Sequence, residues 1–82
     1  MSEAFDKAVV ESKLLPSQSN DTLLSLYSLY KQATEGDVNI EKPTNFFDFP
    51  GIAKFNAWES LKGTAKEVAE QKYIDLVKSL GN

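Results

Sequence analysis

The segment Tyr27-Ser28-Leu29-Tyr30-Lys31-Gln32-Ala33-Thr34-Glu35-Gly36-Asp37 puts two tyrosines and a lysine on less than two helical turns and ends in Gly-Asp. Tyr27 and Lys31 are four residues apart, so on a helix they share a face. A phenol donor beside an ammonium suits a phosphate oxygen. Any anion has to be met this way, because all nine cations are lysines and no arginine offers a bidentate fork. Histidine and cysteine are also absent. That removes the commonest general base and metal ligand, and any thiolate nucleophile. Asp37 and Glu41 are carboxylates in a loop with no partner base or ligand cluster, so catalysis by them is not expected. The chemistry left is non-covalent. The chain reads as a binder rather than an enzyme, with no metal and no cofactor.

On periodicity alone, Tyr30 and Tyr73 are core or core-edge aromatics. Lys13, Lys31 and Lys54 are by the same measure solvated surface lysines, and Tyr27 stands at the edge of the apolar stripe. The residues by themselves leave both readings open.

Four helical segments would have to position these side chains. The first is predicted from about Glu3 to Leu15, with Phe5, Ala8, Val9, Ser12 and Leu15 at helical spacing and Pro16 as the stop. The loop Ser17–Asn20 offers N-cap candidates. The second helix is predicted from Asp21 to Thr34, with Gly36 as its C-terminal stop. One stripe holds Leu23, Leu26, Tyr30 and Ala33, and an adjoining one holds Leu24, Tyr27 and Lys31. From Asp37 to Phe49 the chain is irregular, and Phe46, Phe47 and Phe49 are expected to pack, since three exposed phenylalanines are an aggregation risk. The third helix opens at Pro50 with Asp48 as its cap and runs to Lys62. Phe5, Phe55, Trp58 and Leu80 are assigned to the core. After Gly63, Thr64-Ala65-Lys66-Glu67 reads as a capping box. The fourth helix then runs to Leu80, with Ala69, Tyr73, Leu76, Val77 and Leu80 inward and Gly81-Asn82 as a tail. No repeat and no strand-like alternation interrupts this pattern. The fold class is all-α, a four-helix bundle in which the long second connection lets helices 2 and 3 run parallel.

With 82 residues the chain is expected to form one domain, residues 1–82, with a modest core. A net charge of −3 argues against nucleic acid as a partner. No apolar run reaches the ~20 residues that span a bilayer, and the N-terminus lacks a secretory pattern. The missing cysteines suit a reducing compartment, so a cytoplasmic location is expected.

The segment from Tyr27 to Asp37 does not stand alone. With Pro43, Asp48-Phe49, Ala53-Lys54-Phe55-Asn56-Ala57-Trp58, Leu61-Lys62-Gly63-Thr64, Ala69 and Tyr73-Ile74, it resembles the acyl-CoA-binding protein family over essentially the whole chain. The resemblance implies an up-down-down-up bundle, a bowl for the CoA head group and a groove for the acyl chain. It implies that Tyr27, Lys31 and Lys54 hold the 3′-phosphate of the ribose. Tyr30 and Tyr73 would line the nucleotide site, and Lys13 would lie near the CoA phosphates. The implied function is a non-catalytic carrier and buffer of medium- to long-chain fatty acyl-CoA. The implied partner is the acyl-CoA itself, with transient contact to enzymes or membranes and the chain acting as a monomer. The alternative is a helical protein-interaction module that has lost or weakened its ligand. The sequence departs from the family at Ile52 and Pro50, where lysine is common, at Phe55, where many members have tryptophan, and in the bulk of Phe46-Phe47.

Overall fold

The computed structural model describes residues 2–81, and all of its regular structure is helical. The elements are α1 (Glu3–Ser12), α2 (Asn20–Glu35), α3 (Phe49–Glu59) and α4 (Lys66–Gly81). Three of them start on a side-chain cap that satisfies an otherwise free amide. Ser2 Oγ accepts from Phe5 N at 3.1 Å, Ser19 Oγ from Thr22 N at 3.2 Å, and Asp48 Oδ1 from Gly51 N at 3.1 Å. Gly36, at φ +81°, ends α2, and its amide donates to Gln32 O at 3.0 Å.

Two helices end earlier than their patterns predict. α1 stops at Ser12, and Lys13, Leu14 and Leu15 continue as tight turns with bonds to Val10, Glu11 and Ser12 carbonyls. Pro16 disfavours the helical region for the residue before it, so the last turn tightens instead of continuing. α3 likewise gives way after Glu59 to bonds from Leu61, Lys62 and Thr64 to carbonyls three residues back. Gly63 then turns the chain at φ +91°. The capping box does not form as expected. α4 opens at Lys66, with Ala65 O accepting from Ala69 N at 3.0 Å. Among the described residues no hydrogen bond joins Thr64 to Glu67. The Thr64 amide that Glu67 would have met already donates to Leu61 O at 2.9 Å, and the Thr64 carbonyl accepts from Gln32 Nε2 at 2.8 Å. The expected tail is helical through Gly81, and Asn82 lies outside the described residues.

Directions follow from cross-helix pairs. Tyr27 meets Lys54 and Lys31 meets Trp58, so α2 and α3 advance together and are parallel. Ser2 Oγ donates to Glu70 Oε1 at 2.8 Å and Tyr73 Oη to Ser12 Oγ at 3.0 Å, so α1 and α4 are parallel as well. Gln32 reaching Thr64 while the Tyr30 ring lies tilted 6.3 Å from Tyr73 sets α2 antiparallel to α4. The order is up-down-down-up. α3 packs on α2, α2 on α4, and α4 on α1, giving a slab of 37 × 28 × 15 Å.

The main core joins Phe5 and Ala8 of α1, Leu29 and Ala33 of α2, and Ala69, Tyr73, Ile74 and Val77 of α4. Phe55 and Trp58 are buried on α3, as the sequence indicated, while Leu80 is only half-buried. The stripe expected on α2 is displaced. Leu23 and Tyr30 are exposed, and Ser28, Leu29, Gln32 and Ala33 are buried. α2 is flanked by both α3 and α4, so it needs two contact faces, and polar Ser28 and Gln32 are covered in making them.

Gln32 is the hub of a polar clasp. Its Nε2 donates to Asp37 Oδ1 at 3.0 Å and to Thr64 O at 2.8 Å, while its Oε1 has no partner. Gly63 N donates to the same Asp37 oxygen at 2.8 Å, and Trp58 Nε1 donates to Gly36 O at 2.9 Å. The end of α2 is thereby tied to the end of α3 and the start of α4.

Candidate functional site

The parallel pair α2–α3 sets the site. Tyr27 and Lys31 lie one turn apart on the edge of α2 that faces α3, and Lys54 comes from the facing helix. Lys54 Nζ sits over the Tyr27 ring, 5.5 Å from its centroid. Lys31 Nζ sits over the Trp58 ring at 5.0 Å. Each ammonium is thus aligned by an aromatic face on the opposite helix, the favourable arrangement for a cation over a ring quadrupole. The two pairs are related by one helical turn on both helices, which is what parallel packing produces.

Lys31 has a second partner, at the i,i+4 spacing that pairs charges on a helix. Glu35, four residues on, forms an ion pair with its ammonium. That hydrogen bond holds the Lys31 ammonium above its ordinary range, against partial burial that acts the other way. Glu35 is held below the usual carboxylate range, first by Lys31 and then by Asn39 Nδ2 at 3.3 Å. An incoming anion therefore finds Lys31 already engaged.

Tyr30 belongs to a three-helix ring cluster. Its ring stacks on Phe5 at 6.0 Å with a 16° interplanar angle, and Phe5 lies 5.2 Å from Tyr73. Tyr30 remains 40% exposed and offers one open edge, whereas Tyr73 is only 4% exposed. The Tyr73 hydroxyl donates to Ser12 Oγ, which in turn donates to Val9 O at 2.7 Å. Tyr73 backs the cluster from inside. Lys13, exposed at the C-cap of α1, directly follows Ser12. Among the described residues no hydrogen bond or ion pair joins Lys13 to the other five candidates.

The structure adds a feature that spacing alone concealed. From Tyr27 and Lys54, an open groove of about 430 Å³ runs toward the N-terminal ends of α2 and α3. Leu23, Leu24, Phe49, Pro50 and Ala53 line it, with Asn20 at the far end. It falls in the size range of small-molecule sites. Ile52 and Phe55 do not line it, so these departures do not set the groove's walls. A second depression, of about 410 Å³, lies between α1 and α4 and is lined by Glu11, Leu14, Leu15, Val77, Lys78 and Gly81. None of the six candidate residues borders it, and it lacks any aromatic wall. Among the described residues no cluster of three or more His, Cys, Asp or Glu could hold a metal ion.

A family model described as Acyl CoA binding protein matches residues 2–77. The chain belongs to the acyl-CoA-binding protein family. It is 47% identical over 81 residues to Acyl-CoA-binding protein homolog 1 of Caenorhabditis elegans, covering 98% of this chain and 93% of that protein. Its fold is similar to the crystal structure of Oryza sativa Acyl-CoA-Binding Protein 2, with a TM-score of 0.90, 40% identity, and coverage of 95% of this chain and 87% of that one. It is also 47% identical over 79 residues to Enoyl-CoA delta isomerase 2 of Rattus norvegicus, covering 95% of this chain and 20% of that protein. The chain thus resembles one portion of a much longer enzyme.

Proposed function

We propose that this family member is a cytoplasmic, monomeric carrier and buffer of medium- to long-chain fatty acyl-CoA that leaves its cargo chemically unchanged. Family membership supports the ligand class. The observation that carries the site assignment is the continuity of the α2–α3 groove with the Tyr27–Lys54 pair. Residues 1–82 act as one acyl-CoA-binding domain. Tyr27, Lys31 and Lys54 hold the ribose 3′-phosphate. Tyr30 offers its open edge to the adenine, Tyr73 supports it from behind, and Lys13 approaches the remaining CoA phosphates.

The groove takes the acyl chain. Each CH₂ moved from water onto apolar walls contributes about 0.8 kcal/mol before ordering costs are subtracted. Affinity therefore rises with chain length until the groove is filled. Shielding the thioester and the chain from water needs no base or nucleophile, which fits a chain without His or Cys.

Calorimetry tests this reading. Palmitoyl-CoA is expected to bind well below micromolar concentration, with free CoA and palmitate far weaker, since each carries only half of the contacts. Failure of palmitoyl-CoA to bind in that range would refute it. Lys54→Ala is expected to weaken palmitoyl-CoA by about tenfold or more, the value of one charge-assisted hydrogen bond. Dephospho-palmitoyl-CoA should be nearly indifferent, and equal losses would remove Lys54 from the 3′-phosphate.

A further inference from the structure

The groove is short for the ligand class assigned to it. Its α2 wall runs from Asn20 to Tyr27, about 10 Å at the helical rise per residue. A zigzag carbon chain advances about 1.2 Å per bond, since the three backbone bonds of a fully extended residue cover about 3.5 Å. About eight carbons therefore fill the groove from its Tyr27–Lys54 end, roughly half of a palmitoyl chain. At the other end stand three phenylalanines that have no place in the core. Phe46 and Phe47 are each 84% exposed and Phe49 is 70% exposed, contrary to the packing expected from their sequence. Phe49 is the first residue of α3 and a wall of the groove, with Leu23 exposed on the α2 side. Phe47 precedes it by two residues, so its backbone lies within about 8 Å of the groove's far end. The turn that displays the rings is formed. Phe47 N donates to Asn45 Oδ1 at 2.9 Å and Asp48 N to Asn45 O at 3.0 Å.

We propose that Phe46, Phe47 and Phe49 form a second acyl subsite, which covers the outer half of a long fatty acyl chain after it leaves the groove. This rests on the groove being the acyl site, and it divides specificity into two parts. The groove takes the inner carbons of any acyl chain, and the aromatic tip selects chains that are long and apolar to their end. Length and position single out this occupant. A chain anchored at Tyr27–Lys54 and longer than the groove emerges between Asn20 and Phe49. Its surplus carbons are tethered beside the rings, so their effective concentration there exceeds that of any free partner. Laying them on the rings removes apolar surface of both from water. A hydroxyl at the far end of the chain would be desolvated there, because three phenylalanine side chains offer it no hydrogen bond.

Calorimetry with octanoyl-, dodecanoyl- and palmitoyl-CoA, each below its micelle-forming concentration, compares the parent with Phe46→Ser/Phe47→Ser; neither residue lines the groove. A methylene fully removed from water multiplies affinity about fourfold, and one covered on a single side about twofold. Parent affinity is expected to climb through palmitoyl-CoA. In the variant the climb should stop near octanoyl-CoA. Palmitoyl-CoA then weakens by about tenfold or more, while octanoyl-CoA stays within about twofold of the parent. ω-Hydroxypalmitoyl-CoA should bind the parent several-fold more weakly than palmitoyl-CoA, and the variant should not tell the two apart. Parent affinity that already levels off at octanoyl-CoA would overturn the proposal without any variant. So would a variant that unfolds at the parent's temperature and loses nothing, or loses equally at all three lengths. A palmitoyl-CoA-dependent dimer in sedimentation that the variant abolishes would overturn it too, by giving the rings to a second copy. A parent that binds none of the three ligands refutes the carrier reading itself, and the subsite with it.

Discussion

Glu35 decides how available Lys31 is. The lysine sits at the α2–α3 seam, over Trp58, yet its ammonium is already paired with a carboxylate on its own helix. At the proposed site a phosphate would have to displace that carboxylate or share the lysine with it. Glu35→Gln is expected to tighten palmitoyl-CoA binding by a few-fold, the modest scale of an exposed pair, and the gain should shrink as salt is raised. Unchanged or weaker binding at low salt would show that the pair does not restrain the lysine. The other candidates divide by exposure. Tyr27 and Tyr30 present usable surface, while the Tyr73 hydroxyl is consumed by Ser12. That division was not legible in the sequence, because spacing places Tyr30 and Tyr73 on helices but does not say which ring lies in front.

At the scale of elements, the N-terminus of α3 determines the shape of the groove's far end. Asp48 caps the helix, and Gly51 sits so close that an added Cβ would lie 2.3 Å from Asp48 Oδ2. Alanine normally favours a helix over glycine by about 1 kcal/mol. Here Gly51→Ala is expected to destabilise by about 1 kcal/mol, because it displaces a cap of about that value and adds the overlap. Thermal unfolding of the single variants and of Asp48→Ala/Gly51→Ala checks this. Once the cap is gone, the alanine should become neutral or stabilising, and a Gly51→Ala effect independent of residue 48 would disprove the conflict. The cap itself was legible, since Asp48 before Pro50 is a standard start signal. The helix ends were less so. α1 and α3 both run out through tight turns that a periodic pattern cannot distinguish from one more helical turn.

For the whole molecule, the polar clasp around Gln32 and Asp37 holds the α2–α3 pair against α4. The Gly63 amide, then Gln32 and the nearby Lys62, keep the Asp37 carboxyl below its usual range. A carboxyl lowered by folding binds more protons in the unfolded chain. Its stabilisation is therefore complete above the ordinary carboxylate value and is lost as pH falls through the folded one. Asp37→Asn is expected to unfold at lower temperature than the parent at pH 7, with the gap narrowing below about pH 4. A gap that is the same in acid and at neutrality would show that the charge is immaterial. The Gly-Asp ending of the Tyr27–Asp37 segment thus supplies a tether directly after the residues proposed to face the ligand.

By itself the sequence determined the helix count and, through its ordered motifs, the family; the length of its second connection allowed α2 and α3 to run parallel. These follow from local rules: periodicity, caps, breakers and the side chains on hand. Only the tertiary structure decided which faces are covered. It buried Ser28 and Gln32 in place of Leu23 and Tyr30, because a helix with neighbours on two sides needs two contact faces. It left the capping box at Thr64 unformed, with the Thr64 amide bonded to Leu61 O and its carbonyl to a side chain 32 residues away. It left Phe46, Phe47 and Phe49 in solvent beside an open groove, where hydrophobicity read along the chain had placed them inside. Burial is a property of neighbours brought from elsewhere in the chain, and no local pattern specifies which neighbours those are.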